Sequence, residues 1–246
     1  MIKMNSTFFK IALVTTAPAL LILNSLSTKE KDTAPRHYIV QAASTDEAKE
    51  LVLQVRGEIE RPLSIINAVG ASLTPHQIET LKANPALTAV YEDHSVHSAG
   101  GKKANQDRES TLESAHFPEQ VGASKLHDWG IKGRGATIAI IDTGIWLTDD
   151  LIRNSKEQHR LLAHYDAINA VDLPTDNGGD NSDKHGHGSH ITAVAINTQQ
   201  DNNGGYMGIA PDADLVVVKA FDDQGQGRYI DVINAIDWVV ANQDKH

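Results

Sequence analysis

Ala136-Thr-Ile-Ala-Ile-Ile-Asp-Thr-Gly144 gives the clearest indication of the fold of this chain. Its first six residues form a continuous apolar and β-branched run, which is the pattern of a strand covered on both faces in a parallel sheet. The run ends at Asp142, and α/β proteins place their active sites at the carboxyl ends of such strands. The stretch therefore predicts a parallel sheet with a functional carboxylate at the end of one strand.

Later residues continue this pattern with alternating strands and helices. Residues 161–165 and the Leu-Val-Val-Val run within 214–221 are strand candidates, and residues 191–196 and 230–242 are helix candidates. This alternation is typical of a doubly wound α/β fold, although the strands are too few to complete its sheet. We therefore expect a partial doubly wound parallel-sheet domain.

The second informative stretch is 183–195, Asp-Lys-His-Gly-His-Gly-Ser-His-Ile-Thr-Ala-Val-Ala, which places three histidines within six positions. The glycines on either side of His187 let the backbone turn closely, and the apolar run that follows predicts a helix that holds this turn rigid. We expect chemistry at this turn, either at a metal or at a catalytic base.

Three interpretations of the histidines stay open on the residues alone. The spacing of His185, His187 and His190 is similar to that in metallo-β-lactamase-type hydrolases, but those have an acid where this chain has Ser189. The histidines can equally be loop and cap residues without chemistry. In the third interpretation, His187 is a general base whose other ring nitrogen is held by Asp142. This interpretation requires Asp142 and His187 to be neighbours in space.

The composition excludes several classes of protein. The 246 residues carry a net charge of −10, which argues against a nucleic-acid partner because such surfaces need clustered Lys and Arg. The chain has no cysteine, so disulfides, thiolate zinc sites and a cysteine nucleophile are excluded.

The first residues have the pattern of a targeting segment. Lys3 and Lys10 precede an apolar segment at 11–26, which is shorter than the roughly 20 apolar residues of a membrane span. We expect a signal peptide over residues 1–27, a secreted protein and no stable membrane insertion. An uncleaved membrane anchor is the alternative.

Residues 36–97 predict a small α+β module. Ser44 with Glu47, and Thr74 with Gln77, are capping-box patterns that begin two helices. Strands are expected around these helices at 37–41, 64–69 and 88–91. Residues 98–114 are polar and contain two adjacent glycines, which predicts an exposed linker after the module.

Three motifs, in this order, resemble those of the subtilisin-like serine proteases, the subtilase family. Ile141-Asp142-Thr143-Gly144 is similar to the segment around the family's catalytic Asp. Gly186-His187-Gly188-Ser189-His190 resembles its G-H-G-[TS]-H motif, and Gly208-Ile209-Ala210-Pro211 resembles the segment that follows. The resemblance implies that Asp142 and His187 are catalytic, since the family's triad runs Asp, His, Ser along the chain.

The same resemblance implies the domain organisation. Residues 36–97, with Asn67-Ala68 and Tyr91-Glu92-Asp93, resemble the family's inhibitory propeptide, a small ferredoxin-like α+β domain that binds its own catalytic domain. Residues 98–114 would then be the linker where maturation cleavage falls. Residues 115–246 would be the amino-terminal part of the subtilisin-like catalytic domain.

Two further sites follow from the resemblance. Gly225-Gln226-Gly227 resembles the edge strand that pairs with an extended peptide or protein substrate, although a plain strand-ending turn is the alternative. Asp150 and the loop at Asn202 resemble a structural calcium site made of a carboxylate and loop carbonyls. The loop at 201–206 is longer than the family's.

The resemblance therefore predicts a secreted serine endopeptidase that hydrolyses peptide bonds. Ser155, Ser182 and Ser189 are the only serines after Asp142, so the family's nucleophile and its G-T-S-M-A turn have no counterpart in the printed residues. We expect the chain to be cut short before the nucleophile, and to be inactive as printed. The alternatives are a propeptide-type inhibitor or folding chaperone acting in trans, and a metal-dependent hydrolase at the histidines.

Overall fold

The chain builds an antiparallel sheet from its first half and a mostly parallel sheet from its second half. The computed structural model describes residues 33–98, 117–176 and 181–245. The described residues belong to one compact unit, which begins at Thr33. The predicted signal peptide and residues 99–114 of the predicted linker lie outside the described residues.

The first half is a four-stranded sheet with two helices. Its strands pair antiparallel in the spatial order β2-β3-β1-β4. The helices begin where the capping boxes predict, because Ser44 and Thr74 each accept a hydrogen bond from the backbone N–H three residues on. The elements are β1 (Arg36–Gln41), α1 (Thr45–Gln54), β2 (Glu58–Leu63), β3 (Ala68–Leu73), α2 (Pro75–Lys82) and β4 (Ala89–Glu92).

The strand predicted at 64–69 is wrong in its position. Ser64–Ile66 forms a 3-10 turn, and Asn67 adopts the left-handed backbone conformation with a φ of 53° before β3 begins. Ile66 of this turn packs against a second core cluster instead of lying in a strand. The pattern also missed β2, because its charged residues hide its alternation. The order is therefore strand, helix, strand, strand, helix, strand.

The second half has three parallel strands, with one short antiparallel strand at the edge of the sheet. The spatial order is β6-β9-β7-β8, and the β6/β9 register places Asp142 opposite Lys219. The elements are α3 (Phe117–Gln120), α4 (Ala123–Asp128), β6 (Thr137–Asp142), α5 (Asp149–Ile152), β7 (Leu161–Asp166), β8 (Val171–Asp172), α6 (His187–Ile196), β9 (Asp214–Lys219) and α7 (Tyr229–Asn242). β5 (Ser95–His97) and β10 (Gln226–Arg228) form a separate two-stranded sheet.

Helices cover both faces of the parallel sheet. Leu215 and Val217 of β9 lie in a core cluster with Ile196 of α6. Val216 and Val218, on the opposite face because side chains alternate along a strand, lie in a cluster with Ala235 of α7. The doubly wound α/β prediction is therefore confirmed. No helix in the described part of the chain is long and apolar enough to cross a membrane.

Arg160, at the start of β7, joins three segments under the sheet. Its side chain is fully buried, and its guanidinium donates hydrogen bonds of 2.6–2.9 Å to the backbone carbonyls of Asp150, Leu151, Ile196 and Pro211. Burial lowers the pKa of Arg160 to about 10, so the group stays charged at neutral pH. The end of α6 is thereby fixed to α5 and to the loop before β9.

Replacing Arg160 is expected to destabilise the fold. Arg160→Leu would remove the guanidinium donor from four backbone carbonyls and lower the free energy of unfolding by about 3–5 kcal/mol, measured by urea denaturation. Arg153→Leu is the matched control, because its exposed guanidinium pairs with Asp149 at 3.0 Å, and it should cost less than about 1 kcal/mol. Equal costs for the two variants would contradict this role of Arg160.

Candidate active site

Asp142 and His187 form a hydrogen-bonded pair where β6 ends and α6 begins. The Nδ1 of His187 lies 2.8 Å from Oδ1 and 2.9 Å from Oδ2 of Asp142. A carboxylate only accepts, so Nδ1 carries the proton and Nε2 is left as an acceptor. Asp142 is buried, whereas the His187 side chain keeps 21% of its surface exposed. The pair predicted from the sequence is thus brought together with its outer nitrogen accessible.

Two glycines allow this approach. Gly186 precedes α6 in the left-handed conformation, with a φ of 89°, which most other residues adopt only with strain. A Cβ at Gly188 would lie 2.3 Å from the carbonyl oxygen of Gly144. The first turn of α6 therefore touches the backbone just after β6, and this contact sets the distance between His187 and Asp142.

Thr143, the residue that follows Asp142, is held by hydrogen bonds to Asp142 and to Lys219. The Asp142 carboxylate accepts a 2.7 Å hydrogen bond from the Thr143 N–H. The buried Lys219 ammonium donates to the carbonyls of Thr143, at 2.8 Å, and of Ser182, at 2.9 Å. The end of β6 is therefore held by its neighbouring strand as well as by α6.

The other two histidines do not join the pair. The His185 ring lies 6.2 Å from the His187 ring, edge to face, and His190 is exposed on α6. Within residues 33–98, 117–176 and 181–245 no group of three or more His, Cys, Asp or Glu side chains is arranged to hold a metal ion. The described geometry therefore gives no support to the metal-hydrolase interpretation and favours His187 as a base.

Gln226 and Gly227 lie on β10, Gly225 directly precedes this strand, and β5 of the same chain pairs with it. Gln226 is opposite His97, Gly227 is opposite Val96, and the Ser98 N–H donates to the Gly225 carbonyl at 2.8 Å. An extended segment of this chain thus lies along the strand that the sequence predicts to bind extended peptides. The strand pairing also shows that this stretch is more than a plain turn.

The first-half module rests on the start of α7. Ile230 lies in a core cluster with Ile39, Leu63 and Ala68 of the module's sheet. The Asp237 carboxylate accepts hydrogen bonds from the N–H groups of Ser64 and Ile65, at 2.8 and 3.0 Å.

Charged groups complete the same interface. The Arg228 guanidinium lies 3.2 Å from Glu60 and 3.4 Å from Asp93 of the module, and Arg61 donates to the carbonyls of Ala167 and Ile168. The interface between the first-half module and the second half of the chain therefore combines apolar and charged contacts.

The calcium site at Asp150 and Asn202 stays a prediction. The Asp150 carbonyl accepts hydrogen bonds from the Arg160 guanidinium and from the N–H of Thr198, four residues before Asn202. The Asp201 carboxylate is turned back onto its own loop, where it accepts from Asn203 and Gly205. Calcium at Asp150 and Asn202 therefore rests on the family resemblance and on the preference of calcium for oxygen ligands.

Sequence reasoning missed several residues around the pair. Lys219 lies in the strand candidate at 214–221, and the strand prediction assigns it no role, although a charged residue that closes an apolar run is itself a signal. Asp183 lies in the stretch at 183–195 without a predicted role, although an acid ahead of a Gly-rich turn is well placed to accept hydrogen bonds from the N–H groups of that turn. The charged contacts of Glu60 and Arg228 had no local signal, because they join residues 168 positions apart.

Comparison with known proteins agrees with these motifs. Residues 133–246 match the sequence model of the subtilase family. Subtilisin E of Bacillus subtilis (strain 168) is 28% identical over 218 residues, which cover 88% of this chain and 50% of that protein. Serine protease AprX of the same organism is 28% identical over 191 residues, covering 77% and 38%. The chain thus spans about half or less of the length of these relatives.

Solved structures share the fold. Fervidolysin from Fervidobacterium pennivorans, described as a keratinolytic enzyme related to subtilisin, gives a TM-score of 0.57 at 18% identity, with 85% of this chain and 34% of that chain covered. The S393A mutant of the epidermin leader peptide processing serine protease from Staphylococcus aureus gives 0.58 at 17% identity, with 86% and 49% covered.

His164, buried in β7, is hydrogen-bonded to two of the loops around the pair. Its Nδ1 lies 2.7 Å from the Pro174 carbonyl, so Nδ1 carries the proton, and Nε2 accepts from the Ser182 hydroxyl at 2.8 Å. The Ser182 oxygen in turn accepts from the Ile145 N–H. Burial lowers the pKa of His164, and the nearby Lys219 lowers it too, while the Pro174 carbonyl and Asp166 oppose this.

Stability is therefore expected to fall as the pH drops below about 6.5, because the unfolded chain takes up a proton on this histidine and the folded chain resists it. The loss should reach about 1.4 kcal/mol per pH unit until the lowered pKa is passed. In urea titrations between pH 7 and 5, His164→Asn should remove this dependence, and the exposed His159→Asn should keep it. An unchanged pH dependence in His164→Asn would contradict the assignment.

Proposed function

Because residues 133–246 belong to the subtilase family, we propose that the chain is the amino-terminal part of a secreted serine endopeptidase. The Asp142–His187 pair, with its accessible Nε2, is the observation that carries this proposal. The signal peptide over residues 1–27 would direct the protein out of the cell. The substrates are peptides or proteins, as the family implies.

In this mechanism His187 is the general base. Nε2 takes the proton of a serine hydroxyl as its oxygen attacks the carbonyl carbon of the scissile bond, and later gives that proton to the leaving amine. Asp142 holds Nδ1–H, fixes the tautomer and stabilises the imidazolium that forms. The acyl-enzyme is then hydrolysed when His187 activates a water molecule in the same way.

The nucleophile must come from residues outside the printed sequence. Ser189 donates to Asp183 and Ser182 binds His164, so both hydroxyls are engaged in the loops beside the pair, and no serine follows His190. Ser155 donates to Asp212 near α5. The printed residues alone therefore supply the base and the acid that orients it. Hydrolysis also requires a serine nucleophile and an oxyanion hole.

Residues 36–97 act as the inhibitory propeptide in this proposal. β5 lies on β10, the strand that would receive an extended substrate, and the module's sheet docks on α7. A peptide substrate would have to displace Ser95–His97 to form the same backbone hydrogen bonds. The pairing therefore supports inhibition in cis, which ends when the module leaves the catalytic part after the linker at 98–114 has been cut.

The coding sequence beyond His246 tests the family assignment. We expect it to continue in frame and to encode a Gly-Thr-Ser-Met-Ala turn. In the enzyme expressed with that continuation, His187→Ala should lower kcat by at least about 10³-fold, measured with a chromogenic peptide. The exposed His159→Ala is the control and should leave kcat unchanged. Full activity of His187→Ala would overturn the mechanism.

Asp237 tests the docking of the propeptide. Asp237→Ala removes the acceptor for two N–H groups of the 3-10 turn, so the module should detach more often. The Ser98 N–H, which is bonded to Gly225, should then exchange with deuterium about ten-fold faster, as expected for the loss of about 1.4 kcal/mol of docking energy. Asp244→Ala, in the exposed turn after α7, should not change this rate.

Inhibition in trans is the second candidate, and the complete first-half sheet with its own core favours it. The Asp237→Ala chain, whose module is freer, should inhibit an added subtilisin-type protease more strongly than the unaltered chain. If neither chain inhibits, the second candidate is rejected while inhibition in cis still stands on the exchange measurement.

A further inference from the structure

Asp183 is a buried carboxylate four residues before His187. It is 2% exposed, and its two oxygens accept five hydrogen bonds from described residues. The donors are the Thr143 hydroxyl at 2.8 Å, the N–H groups of His185 and Gly186 at 3.1 and 2.7 Å, and the N–H and hydroxyl of Ser189 at 2.8 and 2.7 Å. Every one of these donors lies within two residues of Asp142 or His187.

The two oxygens of Asp183 hold both sides of the pair. Oδ1 binds the turn that leads into His187 and also Thr143, the residue after Asp142. Oδ2 binds Ser189, in the first turn of α6. One carboxylate therefore joins the end of β6 to the start of α6, the two segments that carry the pair.

The donors of Asp183 are themselves tied to one another. The Thr143 hydroxyl accepts from the Gly188 N–H at 2.9 Å, and the Ser189 hydroxyl accepts from the Trp146 N–H at 2.9 Å. Each hydroxyl has only one proton to donate, and it donates this hydrogen bond to the Asp183 carboxylate. The direction of these hydrogen bonds is therefore fixed, and a neutral amide in place of the carboxylate would reverse at least one of them.

The charge of Asp183 is maintained despite its burial. Burial by itself raises the pKa of the Asp183 carboxyl, but the hydrogen bonds from Ser189, Gly186 and Thr143 bring it below its usual value. Asp166 offers a contrast in the same domain. It is 6% exposed and accepts from Ile168 and Asn169, but it closes only its own turn after β7.

We propose that Asp183 is a positioning residue for the Asp142–His187 pair. It acts through Thr143 on one side and through Ser189 and the turn before His187 on the other, and it keeps Nδ1 of His187 on the carboxylate of Asp142. The proposal rests on the proposed function only in taking this pair as the catalytic one. Its test needs neither a nucleophile nor substrate turnover.

The experiment follows the His187 Nδ1–H proton by NMR in the full 246-residue chain. Asp183→Asn keeps the size of the side chain and removes its charge, which weakens the charge-assisted hydrogen bonds that hold the turn. The variant should make this proton exchange with solvent at least about ten-fold faster, a change worth about 1.4 kcal/mol. Asp166→Asn is the matched control, because it removes a buried, turn-capping charge of the same size. Its exchange rate should stay within about two-fold of the unaltered chain, a change worth less than about 0.5 kcal/mol.

Thr143 gives a second test if Asp183→Asn does not fold. Thr143→Val removes the hydroxyl and should also speed the exchange of the His187 proton, whereas Thr143→Ser retains the hydroxyl and should restore slow exchange. This rescue separates positioning through the hydrogen bond from a general packing effect.

Two results would overturn the proposal. One is slow exchange of the His187 proton in both Asp183→Asn and Thr143→Val. The other is equally fast exchange in Asp183→Asn and Asp166→Asn, which would make Asp183 an ordinary structural residue. A coding sequence without a nucleophile would reject the proposed function, yet it would leave this measurement and its interpretation intact.

Discussion

The hydrogen bond between Asp142 and His187 depends on how closely two backbone segments approach. β6 ends at Asp142, α6 begins at His187, and the first turn of α6 meets the backbone of Gly144 at Gly188. Any side chain at Gly188 would push the two segments apart. The parallel sheet fixes one segment, and Arg160 fixes the far end of α6, so the contact between them sets the distance of 2.8 Å.

The polar groups around this contact form a continuous network. Lys219 holds the Thr143 carbonyl, Asp183 holds the Thr143 hydroxyl, and Ser182 links the His164 ring to the Ile145 N–H. Buried polar groups of this kind are stable only when each has a partner, and a satisfied network favours one arrangement over its alternatives. The rigidity of the pair is thus a property of the surrounding loops as much as of its two residues.

Local patterns allowed the sequence to predict the strand at 136–141, the helix at 230–242 and the two catalytic candidates, because each of these lies in one short segment. The pairing of β5 with β10 could not be predicted, because it joins segments about 130 positions apart whose sequences, Ser-Val-His and Gln-Gly-Arg, carry no strand pattern of their own. The strand prediction at 64–69 is wrong for a related reason. Ile66 packs against the cluster around Ile230, a partner supplied by the other half of the chain.

The same separation explains why a folded module is needed to place so short a strand. Three residue pairs and the Ser98 hydrogen bond hold β5 on β10, and each backbone hydrogen bond contributes only about 0.5–1.5 kcal/mol net. A free peptide of this length would gain too little to offset its loss of freedom on binding. The apolar contact of Ile230 and the hydrogen bonds to Asp237 anchor the module beside β10. This anchoring raises the effective concentration of β5 at β10. The module therefore supplies the affinity, and β10 supplies the geometry of the pairing. Cutting the chain after β5 would leave β5 on β10 until the module itself is released.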